Sequence, residues 1–297
     1  MITNGFEGFT NQVKTWTLLA ALGGLLVLIG YLVGGTSLMT VALVMAVALN
    51  VGVYWFSDSI ALKANGARPL EPGELPFVER TVADLAMRAG IPMPRLYVID
   101  RPEPNAFATG RSPGHAAVAV TTGIVEFMDE RQLRGVLAHE LSHIVNRDTL
   151  VGTVAATMGA AISWIAQMLQ FQMWFGGGDD NEGANPVALL ATVILAPIAA
   201  LIIQLAVSRG REFLADSSGA RLTADPEGLA SALERLDATN RGIRERLGVF
   251  GRRPQPVPAA TAHLYTVSPL SAEGVGSLFS THPPIAERVR RLRSLRS

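Results

Sequence analysis

The apolar positions of this chain are gathered into four long blocks rather than spread evenly along its 297 residues. The first runs from Thr15 to about Gly34 and the second from about Leu38 to Phe56, each without a charged residue. A helical run of roughly 20 apolar residues matches the hydrocarbon thickness of a bilayer. The connector Gly34–Ser37 leaves room only for a reversal, so the pair is expected to form a transmembrane hairpin. A secretory signal fits less well, because Lys14 is the only basic residue ahead of the block and a second block follows at once. A third block, about Leu150–Phe175, and a fourth, Pro186–Val207, are also free of charge. Gln167, Gln170 and Gln172 make the end of the third amphipathic, so this second hairpin is expected to span the bilayer or to enter it as a re-entrant pair. An acidic, glycine-rich loop, Gly176–Gly183, joins its arms.

The polar stretches read as α+β. Leu75–Gly90 has helical apolar spacing. Arg95–Asp100 reads as a strand closed by the turn Arg101–Pro104. Asn105–Gly110 and His115–Thr121 read as two further extended segments, joined by Arg111–Gly114. Asp129, with Gln132 three residues on, is a capping-box start for a helix that carries Leu133, Val136, Leu137, Leu141 and Ile144 to about Asp148. Asp225-Pro226 opens another helix, Gly248–Pro258 shows no regular pattern, and a basic amphipathic helix is expected from about Pro284. The predicted organisation is an N-terminal hairpin over 1–60, a first catalytic part over 61–148, the second hairpin over 149–208 and a second catalytic part over 209–297.

Charge adds orientation. No Lys or Arg lies in Thr15–Leu62 or in Thr149–Ser208, so the positive-inside rule assigns the N-terminus, the middle region and the C-terminal region to the cytoplasm. Composition agrees with a membrane chain: 49% of residues are hydrophobic and 17% are charged. The formal net charge of zero provides no basic field to recruit nucleic acid. The chain has no cysteine, which excludes disulfides and thiolate metal sites and leaves His, Asp and Glu as metal ligands.

The candidate chemistry sits in the Asp129 helix, in the string Ala138-His139-Glu140-Leu141-Ser142-His143. Residues four apart share a helical face, so His139 and His143 can aim their imidazoles at one point. That spacing suits two ligands of a tetrahedral zinc, and Glu140, one position round, can reach a reacting water as the base of a metalloprotease. The plain alternative is a helix with two solvent-facing histidines beside an ordinary acid. A catalytic zinc takes three protein ligands and keeps one position open. Glu212, directly after the fourth block, is the candidate third ligand. Asp216 shares its face and could accept the other N–H of a ligating histidine. On its own this segment also reads as an ion-pair network among Arg209, Arg211, Glu212 and Asp216. A two-pass hairpin between His143 and Glu212 returns the chain to the same side, as a shared metal requires.

The string HELSHIVNRD (His139–Asp148), a hydrophobic hairpin and then SRGREFLADSSGA (Ser208–Ala220) together resemble the HtpX family of bacterial membrane metalloproteases, relatives of the CAAX prenyl protease. The N-terminal hairpin, Pro104–Gly110, Ser280–Pro284 and Arg288 match the same family, in its order. The resemblance implies a gluzincin-type, zincin-like α+β domain with a small sheet. It implies one Zn2+ on His139, His143 and Glu212, with Glu140 as base. It further implies endopeptidase activity in membrane-protein quality control at the bacterial inner membrane, with unfolded or membrane proteins as substrates. His282, in the Thr-His-Pro string, is the candidate oxyanion donor, or else a loop histidine ahead of the last helix. His115 and His263 read as loop histidines, and Asn105 and Asn146 as caps or turn residues. The segments Asn105–Gly110 and His115–Thr121 could offer an edge strand to an extended peptide. Two other functions remain open at this stage, a zinc-dependent hydrolase of a non-peptide bond and a non-catalytic zinc scaffold.

Overall fold

The computed structural model describes residues 5–151, 209–250 and 283–295. Its first element, α1 (Gly5–Ala64), folds back on itself at Gly35, where φ is +64°. The contacts of its two arms establish the reversal. Asn50 Nδ2 donates to the Leu19 carbonyl at 3.0 Å, and Trp16 stacks on Tyr54 with ring centroids 5.8 Å apart. In a straight helix Leu19 and Asn50 would stand about 46 Å apart. The turn falls inside the connector expected at Gly34–Ser37, and glycine is the residue that adopts a left-handed φ without a steric penalty. Among the described residues, Gly35–Phe56 is the stretch long and apolar enough to cross a membrane, and Leu19–Leu28 is a shorter apolar run. The second hairpin lies outside the described residues, apart from its first three positions.

The polar region builds one four-stranded sheet in the order β1-β2-β4-β3. β1 (Arg68–Pro69) is antiparallel to β2 (Arg95–Ile99), β2 is parallel to β4 (Ala116–Thr121), and β3 (Ala106–Gly110) is antiparallel to β4. The expected extended segments are thus β3 and β4, reversed through a 3-10 turn at Pro113–His115. Alternation along the strands separates two faces. Ala106, Ala108, Val118 and Val120 enter the main core. Phe107, Ala117 and Ala119 turn the other way and pack with Ile99 and with Leu62 of α1. Arg95 pairs with Asp58 at 2.5 Å, and Arg111 lies 4.8 Å over the Trp55 ring, so the end of α1 is fastened to the sheet.

Helices cover the main core face. α2 (Pro76–Ala89) buries Val78, Val82, Leu85 and Ala86 on one stripe and ends at the left-handed Gly90, as its spacing predicts. The short α3 (Thr122–Phe127) was not legible, and it is capped by Thr121 Oγ1 accepting from the Ile124 N–H. α4 (Glu130–Val145) opens with the expected capping box, in which the Gln132 N–H donates to Asp129 Oδ1 at 2.8 Å. It ends three residues before Asp148, because Arg147 takes a φ of +56° and the chain turns off the helix axis there. α5 (Arg209–Thr223), α6 (Pro226–Phe250) and α7 (Ile285–Ser294) complete the layer. α6 runs past Gly248, into the segment expected to be irregular, because the helical backbone continues there without a proline until Pro254.

Glycines set the spacing of these helices. A Cβ placed on Gly135 of α4 would lie 2.6 Å from the Leu229 nitrogen of α6. One on Gly219 of α5 would lie 3.0 Å from the His139 nitrogen. Gly135→Ala is therefore expected to lower stability by about 1–3 kcal/mol, the range for overpacking a closed core. Gly114→Ala, with nothing within 4 Å of its new carbon, should leave it nearly unchanged. Thermal melting of both variants in detergent checks the contrast.

Candidate metal centre and active site

The functional side chains come from three helices. α4 is amphipathic and buries His139 and Glu140 at 1% and 5% exposure beside its apolar stripe. α5 lies across it at the Gly219–His139 contact, and Glu212, Asp216 and Gly219 share the α5 face turned toward α4. α7 contributes Arg288, which is fully buried.

These elements bring the three expected ligands together. His139 Nε2 and His143 Nε2 are 3.1 Å apart, and each lies 3.7 Å from an oxygen of Glu212. Ligand atoms at zinc–nitrogen distances of ~2.0–2.1 Å around a tetrahedral ion stand about 3.3 Å from one another. The donor set therefore fits one small cation, and its chemistry of two imidazoles and a carboxylate is that of a catalytic site. Glu140 stands beside the trio, and its Oε2 accepts the backbone N–H of Ala108 in β3 at 3.0 Å.

The remaining nitrogens of both histidines face carboxylates. His139 Nδ1 is 2.9 Å from Asp216 Oδ1, so Asp216 stands beside a candidate ligand, although no hydrogen bond is formed at that nitrogen. His143 Nδ1 is 3.0 Å from both oxygens of Asp148. Arg288 donates to Asp216 through Nε at 2.8 Å and Nη2 at 2.6 Å, and its Nη1 reaches within 3.5 Å of Glu212. Sequence reasoning quoted Asp148 and Arg288 within matching strings but gave neither a task. A buried carboxylate needs a cation, which is the general signal that would have pointed to Arg288. In place of the alternative ion-pair network within that segment, Arg288 of α7 takes both oxygens of Asp216. His282 lies outside the described residues. His115 is an exposed loop histidine whose Nδ1 is 3.2 Å from Ser112 Oγ.

Electrostatics follow from burial and pairing. Burial pushes the Glu140 carboxyl above its ordinary range, against the pull of the two histidines. Burial would also raise Asp216, but Arg288 and His139 hold it down at about 2. Burial opposes protonation of His143, yet Asp148, Glu212 and Glu140 push it up to about 10 in the metal-free chain.

Two histidines and a glutamate gathered on adjoining helices, with a second glutamate at hand, make a metallopeptidase of the His-Glu-x-x-His class. Residues 74–296 match peptidase family M48, and the chain belongs to that family. It is 46% identical over 286 residues to a protease HtpX homolog of Desulforapulum autotrophicum, covering 95% of this chain and 89% of that one. It is 49% identical over 288 residues to the protease HtpX homolog of Nostoc punctiforme, covering 96% of each. The same fold occurs in the crystal structure of Ste24p from S. mikatae, with a TM-score of 0.52 and 22% identity. That match covers 96% of this chain and 65% of the other. The resemblance read from the motifs is therefore correct: the chain is an HtpX-type metalloprotease, built as a mostly helical zincin-like fold with a small mixed sheet.

A pH prediction follows. A histidine whose pKa is raised by folding stabilises the fold fully below its unfolded value of 6.5, and that contribution is lost as pH rises toward the folded value near 10. The melting temperature of the chelator-treated chain is expected to fall between pH 6.5 and 10. Asp148→Asn should flatten that slope. A wild-type profile that is level across the window would remove the His143–Asp148 charge pairing.

Proposed function

We propose that this chain is a multi-pass zinc endopeptidase of the bacterial inner membrane that cuts misfolded or damaged membrane proteins on the cytoplasmic side. The observation that carries the reading is the convergence of His139, His143 and Glu212 on one point, with buried Glu140 anchored beside them. The names of the HtpX relatives support proteolysis. The apolar hairpin of α1 and the two charge-free blocks Leu150–Phe175 and Pro186–Val207 support two membrane pairs, with the catalytic parts 61–148 and 209–297 meeting on one side.

His139, His143 and Glu212 would hold the zinc, and zinc when bound supplies Lewis acidity toward the attacking water and the scissile carbonyl. Ala108 fixes Oε2 of Glu140, which orients the carboxylate and gives Oε1 the task of taking the water's proton. Burial raises the basicity of that carboxylate toward the working pH. Glu140 then returns the proton to the nitrogen of the leaving amine, so the same group acts first as base and then as acid. Asp216 stands beside His139 Nδ1, and Arg288 keeps Asp216 ionised. An extended substrate would lie along β3, the edge strand whose Ala108 N–H meets Glu140. Backbone pairing there is nearly blind to side chains, which suits a quality-control enzyme. His282 would supply a second donor to the developing oxyanion.

Cleavage of an unfolded protein by the detergent-purified chain, with zinc present, tests the reading. Glu140→Gln is expected to lower turnover by about 10²–10⁴-fold and to retain zinc. Chelator should abolish cleavage by the wild type. Zinc retained with no hydrolysis by either form would leave the metal site standing and reject the peptidase mechanism. For His282→Ala a loss of about a hundredfold in turnover is expected, with zinc content intact; loss of zinc in that variant would move His282 into the metal's own ligand set.

A further inference from the structure

α4 does not simply run out after its second histidine. Asn146 closes the helix, Arg147 takes the left-handed φ of +56°, and two backbone bonds tie the turn. The Arg147 N–H donates to the Ile144 carbonyl and the Asp148 N–H to the His143 carbonyl, both at 3.1 Å. This is the Schellman arrangement, in which glycine usually holds the left-handed position. A non-glycine residue there brings its Cβ too close to the following carbonyl oxygen. The strained turn has one visible consequence. It brings Asp148, five residues beyond His143 and on a different helical face had α4 continued, back over the ring of His143. The Asp148 carboxylate is 95% buried, with both oxygens 3.0 Å from His143 Nδ1.

We propose that Asp148 is a positioning residue for the metal: it holds the Nδ1 proton of His143, so that Nε2 presents its lone pair toward His139 and Glu212. This rests on the reading of His143 as a zinc ligand and goes beyond it by assigning what fixes that ligand. The geometry supports a single tautomer. A proton on Nδ1 is shared between two carboxylate oxygens, which leaves Nε2 as the nitrogen turned toward His139 and Glu212 and free to bind a cation. Fixing the ring also excludes the flipped orientation, in which Nδ1 would face the metal.

The two ligand histidines are then held in unequal ways. The carboxylate behind His139 is bound by two nitrogens of Arg288. No such bond reaches Asp148 from Arg211, whose guanidinium is buried nearby in α5 and whose Nη1 has no hydrogen-bond partner. The hydrogen bonds of Asp148 are thus directed to His143, while the Arg211 charge lies close enough to act on it. A charged acceptor at Nδ1 makes the opposite nitrogen a stronger donor to a cation.

Zinc affinity of the full chain in detergent, measured by competition with a chromophoric chelator, tests the assignment. Asp148→Asn keeps an acceptor and loses the charge, and its affinity is expected to fall about tenfold; Asp148→Ala should fall about a hundredfold. Asp148→Glu should recover most of the loss, whereas a residue that only closes the turn would show no such rescue. Arg147→Gly, which retains the left-handed turn, is expected to bind zinc as the wild type does. An Asp148→Ala affinity within about twofold of wild type would overturn the proposal. Should that variant fail to fold, nitrogen-15 NMR of histidine-labelled wild type with zinc gives the same answer. A protonated Nδ1 and a metal-bound Nε2 on His143 support the assignment, and zinc on Nδ1 overturns it. A wild type that binds no zinc would instead reject the metal site itself, and Asp148's role with it.

Discussion

Two histidines on one helix can share a cation only if a third donor is delivered from outside that helix, and the packing of α4 against α5 is organised around that delivery. Gly219 lets the α5 backbone approach His139 to within ordinary contact, and a methyl group there would already press on the His139 nitrogen. One turn away on the same face, Asp216 meets His139 Nδ1, and a further turn away Glu212 faces both Nε2 atoms. Gly135 performs the same service between α4 and α6. The helix that carries the ligands is thus pinned from two sides before any metal enters.

That pinning buries charge, and burial of charge is tolerable only when it is paired. Glu140, Asp148, Glu212 and Asp216 are all less than a tenth exposed, as are Arg211 and Arg288. With neutral histidines, four carboxylates against two guanidiniums leave two negative charges among the described residues of a region shut off from water. A divalent cation at the histidine–glutamate point offsets that excess. In its absence His143 takes up a proton, which is the direction its environment drives it. The same cluster therefore explains the affinity for a cation and the metal-free chain's dependence on pH.

How much of this was legible depended on whether a signal is local. The capping box at Asp129 and the stripe of α2 lie within one or two helical turns of sequence, and both appear where they were read. The ligand pair is four residues apart on one helix, and Asp216 is four from Glu212, so helical geometry alone related them. The strand segments were visible from alternation, but alternation assigns faces and not neighbours. The parallel pairing of β2 with β4, which leaves β3 outermost, therefore had no sequence mark. Arg288 stands 72 residues from Asp216, and nothing local connects them. Asp148 was hidden for a different reason. A left-handed turn usually announces itself with glycine, and here the position is Arg147, which reads as one more helical residue.

The sheet joins the site to the apolar hairpin. Its inner face supplies Ala106, Ala108, Val118 and Val120 to the core under α4. Its outer face packs Phe107, Ala117 and Ala119 against Leu62, at the end of the arm that contains Gly35–Phe56. Val41, Val44, Val47, Trp55 and Phe56 on that arm are all at least half exposed, a continuous apolar surface that water does not favour. The ion pair of Asp58 with Arg95 and the stacking of Arg111 on Trp55 fall just where the apolar run gives way to charge. Motion of the hairpin relative to the sheet would have to break these contacts and open the Leu62 cluster together. The strand that holds Oε2 of Glu140 is the same strand whose other face rests on the hairpin end, through Phe107. One strand of the sheet thus lies between the hairpin end and the buried Glu140, in contact with both.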